Sequence, residues 1–283
     1  MPIDLHTHSS ASDGTQLPAD VVRSAAEAGL DVVALTDHDT YAGWPAAEAA
    51  ALEVGVDLVR GVEISCTHRG ISVHLLAYLV DPDDAGLRDE LVRARESRET
   101  RVSRMVAAMA ADGIPVTLDQ VHALAGEGAT LGRPHIADAL VQSGYVGTRD
   151  EAFAQVLGNG SPYYASHYAP DAVRAVELVR AAGGVPVMAH PFANARGWTV
   201  ADEVVAEMAE AGLAGLEADH RDHSSRERAH AHALAARLGM FITGSSDYHG
   251  TGKQNRLGEN TTDPQVLQQI EDEATSGVQV VRA

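Results

Sequence analysis

The sequence predicts an α/β protein, a small barrel of seven strands interrupted by an all-helical insertion. Short apolar runs rich in β-branched residues alternate with alanine-rich helical patterns near both ends of the chain, the rhythm of a parallel βα architecture. Helical patterns end in glycine at Gly183, Gly212 and Gly239, the usual stop signal of a helix. From about Asp83 to Tyr168 no convincing strand appears and helical spacing dominates.

In order, the strands are expected at Pro2–Leu5, Val32–Thr36, Asp57–Ile64, Ile71–Val80, Val185–Ala189, Gly215–Ala218 and Phe241–Thr243. Only a turn around His68, Arg69 and Gly70 separates the third from the fourth, which suits a hairpin better than a helical crossover. The barrel is thus expected from residues 1–82 and 169–283, with a helical domain at 83–168 inserted over the site. In that insertion Leu87, Leu91, Val102, Met105, Val106 and Met109 recur near helical spacing. Arg88, Arg93, Arg95, Arg98, Arg101 and Arg104 alternate there with Asp89, Glu90, Glu96 and Glu99. That mixture reads as a solvated, salt-bridged helix face rather than a nucleic-acid stripe. The acidic end after Gly258 is expected to close the barrel with a helix.

At 283 residues, 45% hydrophobic and 22% charged, the chain can bury a sizeable core. Lys+Arg 21 against Asp+Glu 40 leaves −19, a field that opposes a broad grip on duplex DNA. A phosphate-bearing substrate must therefore be met by local positive charge. The single cysteine, Cys66, excludes an intramolecular disulfide and multi-thiolate zinc sites and reads as a small buried hydrophobe. Polar residues from Asp4 onward and no long apolar run point to a cytoplasmic protein with no membrane partner. Gly158-Asn159-Gly160 is a turn, not a phosphate-cradling loop.

Chemistry-bearing residues gather where strands end. His6 and His8 are two apart in an extended segment, so both imidazoles can face one cation. Asp13 follows in SASDG, His38 in TDHD, Glu63 in GVEIS and His74 in the fourth strand. His190 lies in AHP, and Asp247 and His249 in SDYHG. Any one of these alone reads as a structural histidine or a capping aspartate. Together they do not, because the strand ends of a barrel open on one cavity. Nitrogen and oxygen donors without thiolate suit manganese, iron or zinc. His68, His122, His230 and His232 read instead as solvated turn or helix positions.

HTHSSASDG, TDHD, GVEIS, the strand with His74, GRPH, AHP and SDYHG, in that order, resemble the polymerase and histidinol phosphatase (PHP) family of metal-dependent phosphoesterases. GRPHIADALVQSGY and Ser161-Pro162-Tyr163-Tyr164 resemble its subgroup acting on nucleotide 3′,5′-bisphosphates and on the 5′ ends of short RNAs. The resemblance implies a distorted (β/α)₇ barrel with three divalent ions. It places His6, His8, Glu63 and Asp247 on the first ion, with Glu63 bridging to a second that His74 and His190 also hold. Asp13, His38 and His249 would hold the third. Arg133 and His135 would approach the substrate phosphate. After the sixth strand the subgroup often shows Tyr-His-Pro-x-His, where this chain has Asp219-His220-Arg221-Asp222-His223. Both histidines are kept, His220 or His223 as a candidate general acid and His223 also as a phosphate contact.

Phosphoester hydrolysis is therefore the expected activity, on a nucleotide or short oligoribonucleotide, with histidinol-phosphate or cyclic-phosphate hydrolysis as alternatives. A C–N hydrolase of the amidohydrolase type usually bridges its metals with a strand lysine, and the only lysine here is Lys253, in a loop. A non-catalytic metal-binding module would hold ions without hydrolysing an aryl phosphate.

Overall fold

The computed structural model describes residues 1–283 and contains one seven-stranded sheet in the order β1 to β7. The strands are β1 Ile3–Asp4, β2 Val32–Leu35, β3 Asp57–His68, β4 Ile71–Tyr78, β5 Val185–Met188, β6 Gly215–Asp219 and β7 Phe241–Gly244. β4 runs antiparallel to β3 and β5, and every other pairing is parallel. Beyond the ends of β1 and β7, Thr7 bridges Tyr248 in parallel sense, and the His8 N–H donates to the Tyr248 carbonyl at 2.8 Å. The sheet is thereby nearly closed into a barrel.

Strand alternation sorts the core into two layers. Val33 and Leu35 of β2 face the outer layer of 37 buried residues, with Ala47, Val176 and Leu234 from the surrounding helices. Val32 and Ala34 point inward to a 15-residue cluster that includes Ile3, Leu5, Val59, Leu76 and Val187. Apolar residues on both faces are what a strand covered on both sides requires. Helix α1 (Pro18–Glu27) and helix α2 (Trp44–Val54) each start with proline in the first turn, where its missing N–H costs nothing. The C-terminal helix (Pro264–Glu273) contributes Leu267 and Ile270 to the inner cluster.

Between β4 and β5 the chain has no strand but holds α3 Ala85–Ala111, α4 Leu118–Ala125, α5 Arg133–Gln142, a short α6, Arg149–Ala152, and, after an irregular strap over residues 158–171, α7 Ala172–Ala181. Val102, Met105, Met109, Val121, Ile136, Leu140 and Leu157 belong to a separate cluster of 17 buried residues here. No helix of the chain is long and apolar enough to cross a membrane.

Three expectations are revised. β3 continues past Ile64 to His68, so Glu63 lies in mid-strand rather than at an end. His74 reaches the same level because β4 is antiparallel and pairs His74 with Ser65. His68 is buried, with Nδ1 3.2 Å from an Asp171 carboxylate oxygen. The third revision concerns Arg95, Arg98 and Arg101 of α3, which turn inward, whereas Arg88, Arg93 and Arg104 stay exposed as expected. Arg95 donates to the Asp39 carbonyl at 3.0 Å, Arg98 to its carboxylate at 2.9 Å and Arg101 to the Ala165 carbonyl at 2.7 Å. Arg104 donates to the Ser166 carbonyl. Among the six, only Arg88 pairs with an interleaved acid, Asp89. The buried Asp39 on the barrel and the carbonyls of residues 165–166 take these arginines in place of local pairs that water would screen.

Candidate metal centre

Local backbone geometry brings the donors together. A Cβ on Gly14 would lie 2.4 Å from the His8 carbonyl oxygen, so glycine alone lets the SASDG loop fold back on the first strand. Asp13 then lies 3.2 Å from His249 Nε2 and 3.7 Å from His8 Nδ1. Asp39, His190 and Asp247, just beyond β2, β5 and β7, hold φ of +54°, +32° and +54°. Non-glycine residues in that region carry strain of about 1–3 kcal/mol each, a cost typical of functional sites.

Glu63 is at the centre of the cluster, 1% exposed. Its Oε2 lies 3.2 Å from His6 Nε2, 3.0 Å from His8 Nε2 and 3.2 Å from His38 Nδ1. Its Oε1 lies 2.7 Å from His74 Nδ1 and 3.3 Å from His190 Nε2. Asp247 points Oδ1 at His6, His8 and His249, 3.4–3.5 Å away. Its Oδ2 accepts from Arg196 at 2.5 Å and Lys253 at 2.9 Å. Three groups of donor atoms could each surround a cation: His8, Asp13, His38 and His249; His6, His8, Glu63 and Asp247; and His38, Glu63 and His74. All nine expected ligands are thus brought together, His190 through its contact with Glu63.

The donor chemistry fits cations. His38 Nδ1 and His249 Nε2 are buried without hydrogen-bond partners, and the Nε2 atoms of His6 and His8 face each other at 3.0 Å. Unpaired buried nitrogens converging on carboxylate oxygens are costly unless an ion joins them. Charge balance agrees. Burial opposes ionisation of Glu63, yet His38, His74 and His6 hold it well below the usual carboxylate range. Burial likewise disfavours charged His6, but Glu217, Glu63 and Asp247 raise it well above an ordinary imidazole.

The other expected residues divide. His220 Nδ1 accepts the Asp222 N–H, while its buried Nε2 has no hydrogen-bond partner and lies 3.8 Å from Asp247 Oδ2. His223 turns away, its Nδ1 bonded to the Ala218 carbonyl and its Nε2 accepting from the Phe192 N–H. With both nitrogens used by backbone, it has no atom for a phosphate or a leaving group. His135 is 3% exposed, and its Nδ1 accepts the Gly132 N–H at the start of α5. Arg133 braces a loop through the Leu157 carbonyl at 2.9 Å and Asn159 Oδ1 at 2.8 Å. His122, His230 and His232 are half-exposed and pair with surface acids, as expected for solvated faces.

Sequence reasoning missed a supporting layer. Glu217 accepts from His6 Nδ1 and from the His190 N–H, each at 2.9 Å. Asp37 accepts from Ser9 and Ser12, and Asp39 from Ser65 and Arg98. An acid flanked by Leu216 and Ala218 inside β6 was an available signal for Glu217.

A nearly closed barrel with converging histidines and carboxylates at one end defines a metal-binding hydrolase site. The chain belongs to the PHP family, whose domain matches residues 4–158, and it is a metal-dependent phosphoesterase. It is 34% identical to a 3′,5′-nucleoside bisphosphate phosphatase of Chromobacterium violaceum over 92% of both chains. A 5′-3′ exoribonuclease of Haemophilus influenzae is 39% identical over 67% of this chain and 68% of its own. A phosphoribosyl 1,2-cyclic phosphate 1,2-diphosphodiesterase of Eggerthella lenta is 32% identical over 87% and 94%. Among solved structures, a protein of Bifidobacterium adolescentis assigned as a metal-dependent phosphoesterase superposes with a TM-score of 0.94 at 39% identity, over 97% of this chain and 98% of that one.

Proposed function

We propose that the protein removes the 3′-phosphate of nucleoside 3′,5′-bisphosphates and degrades short 5′-phosphorylated RNA from the 5′ end by the same chemistry. The observation that carries the hydrolytic reading is the division of Glu63, whose Oε2 serves His6, His8 and His38 while Oε1 serves His74 and His190. A carboxylate with separate donor sets on its two oxygens is suited to bridge two ions. His6, His8, Glu63 and Asp247 would hold one, Glu63, His74 and His190 a second, and Asp13, His38 and His249 a third. Manganese, iron or zinc fits this donor set. Bound there, the ions supply water activated near neutral pH and neutralise phosphate oxygens.

The chain's own residues do the rest. Arg133 orients a substrate phosphate from the helical segment, as a planar guanidinium can. His220 Nε2, free of other bonds, holds a proton for the leaving oxygen. Residues 83–168 cap the site and leave room for one or two nucleotides, and a net charge of −19 offers no track for duplex DNA.

A second reading, hydrolysis of a cyclic phosphate, is favoured by the Eggerthella lenta relative. Phosphate release from a panel decides between them. Adenosine 3′,5′-bisphosphate should yield the 5′-monophosphate faster than histidinol phosphate or a 1,2-cyclic phosphate reacts. Faster turnover of either competitor, or release of the 5′-phosphate, overturns the substrate assignment.

A further inference from the structure

Trp198 is the most exposed large apolar side chain of the protein, at 89% against 62% for Leu52. A single exposed apolar residue needs no explanation by itself; what distinguishes Trp198 is the turn that carries it. Asn194 Nδ2 donates to Glu227 Oε1 at 2.6 Å and to the Phe192 carbonyl at 3.2 Å, and Thr199 Oγ1 donates to Asn194 Oδ1 at 3.4 Å. Between them Gly197, with φ of +136° and ψ of −156°, takes a conformation that is essentially restricted to glycine. The indole is thus presented to water by a braced turn.

The turn lies next to the metal centre. Two residues before Trp198, Arg196 donates Nη2 to Asp247 Oδ2 and Nε to Asp222 Oδ2, each at 2.5 Å. The Asp222 N–H donates in turn to His220 Nδ1 at 3.1 Å. One residue before Trp198, a Cβ on Gly197 would lie 3.5 Å from Asn159 Nδ2, in the loop that Arg133 holds. The turn therefore spans from the metal centre to the helical segment, on the side where His220 stands. The Cα of Trp198 is within about 7 Å of that of Arg196, so the indole belongs to the rim of the site.

Resting on the nucleotide reading above, we propose that Trp198 is a stacking platform for the nucleobase of the nucleotide whose 3′ oxygen departs. In that reaction a water oxygen bonds to phosphorus, the bond from phosphorus to the 3′ oxygen breaks, and the 3′ oxygen takes a proton. The departing group carries ribose and base on the side of His220, where the turn is. The base is the same one in a bisphosphate and at the 5′ end of an RNA. An indole has two rotatable side-chain bonds, so little entropy is lost when it stacks. Every base presents a π-face, so the platform separates nucleotides from sugar phosphates more than one base from another.

Fluorescence reads the contact directly, because the chain has two tryptophans and the other, Trp44, is 6% exposed with Nε1 donating to the Gly61 carbonyl. In Trp44→Phe all indole emission comes from Trp198. Adenosine 5′-monophosphate should quench it, and ribose 5-phosphate should not. Should Trp44→Phe not fold, the difference between wild-type and Trp198→Leu emission gives the same reading. In calorimetry Trp198→Leu should bind adenosine 5′-monophosphate about tenfold more weakly than wild type. Trp198→Phe should recover most of that loss, and ribose 5-phosphate should bind all three alike. With manganese-loaded enzyme, the kcat/KM preference for adenosine 3′,5′-bisphosphate over its abasic tetrahydrofuran analogue should fall about tenfold in Trp198→Leu. Because the ring stands in water, these substitutions leave the core intact. Equal quenching by the two phosphates, or equal nucleotide affinity in wild type and Trp198→Leu, overturns the platform. So does emission that follows protein concentration rather than nucleotide, which assigns Trp198 to a contact between copies. If no nucleotide is hydrolysed yet the quench and the affinity loss are seen, the platform stands and the hydrolytic reading alone fails.

Discussion

Glu217 Oε1 lies 2.9 Å from His6 Nδ1, and both side chains are fully buried. The contact turns His6 so that Nε2 faces Glu63 and Asp247. An outer carboxylate of this kind orients the ring and raises its basicity. Glu217→Gln should weaken metal binding about 10- to 100-fold, with activity restored at high metal concentration. Chelator competition measures this, and an unchanged affinity would show that Glu217 only fills space.

Glu63 touches five imidazoles, more than any other carboxylate of the cluster. Glu63→Gln should therefore lose more activity than any single histidine substitution. Elemental analysis should show two to three ions per wild-type chain and a larger deficit in Glu63→Gln than in His74→Ala. A loss of only a few-fold would exclude Glu63 as the bridge.

Removing the ions should also destabilise the fold. Asp13, Glu63 and Asp247 are buried within one cluster, and a ligand that binds only the folded state stabilises it by about 2.7 kcal/mol at a hundredfold excess over Kd. Exhaustive chelation should lower Tm by about 5–10 °C on that basis. Calorimetric scans before and after manganese is returned would read the shift, and identical scans would argue against buried ions.

Arg98 docks α3 onto the barrel through the fully buried Asp39. Breaking a buried ion pair costs about 3–5 kcal/mol, because the remaining charge is stranded. Arg98→Met should lose stability on that scale, and Arg98→Met with Asp39→Asn should lose less than the two changes summed. Urea melts of all three variants supply the double-mutant cycle, and strict additivity would mean that the pair is not coupled.

Arg133→Ala should lower kcat/KM by about a hundredfold or more, the scale of a charged transition-state contact. Because Arg133 also ties down Leu157 and Asn159, its Tm should fall too. Arg133→Lys should recover more of the Tm than of the catalysis, since a point charge lacks the two-pronged geometry. Unchanged kcat/KM in Arg133→Ala would leave the residue a structural part only.

The sequence by itself determined the barrel and the donors. Strands with apolar residues on both faces and helices ended by glycine are local signals, and His6 with His8 shows a shared direction through the period of two. What it could not determine was direction across space. Glu217 is one of two acids in β6, and nothing nearby in the chain reveals that His6, 211 residues away, takes its carboxylate. On α3 the arginines and acids alternate beside an apolar stripe, and such a mixed polar face reads as solvated. Asp39 and the 165–166 carbonyls made the face around Arg98 and Arg101 an inner one. His220 and His223 look alike in the sequence, yet the turn after β6 aims one at Asp247 and ties the other to Ala218 and Phe192. Patterning sets which residues can be buried, but only the packed tertiary structure decides what each buried polar atom must bond, because the cost of leaving it unpaired is paid against partners far away in the chain.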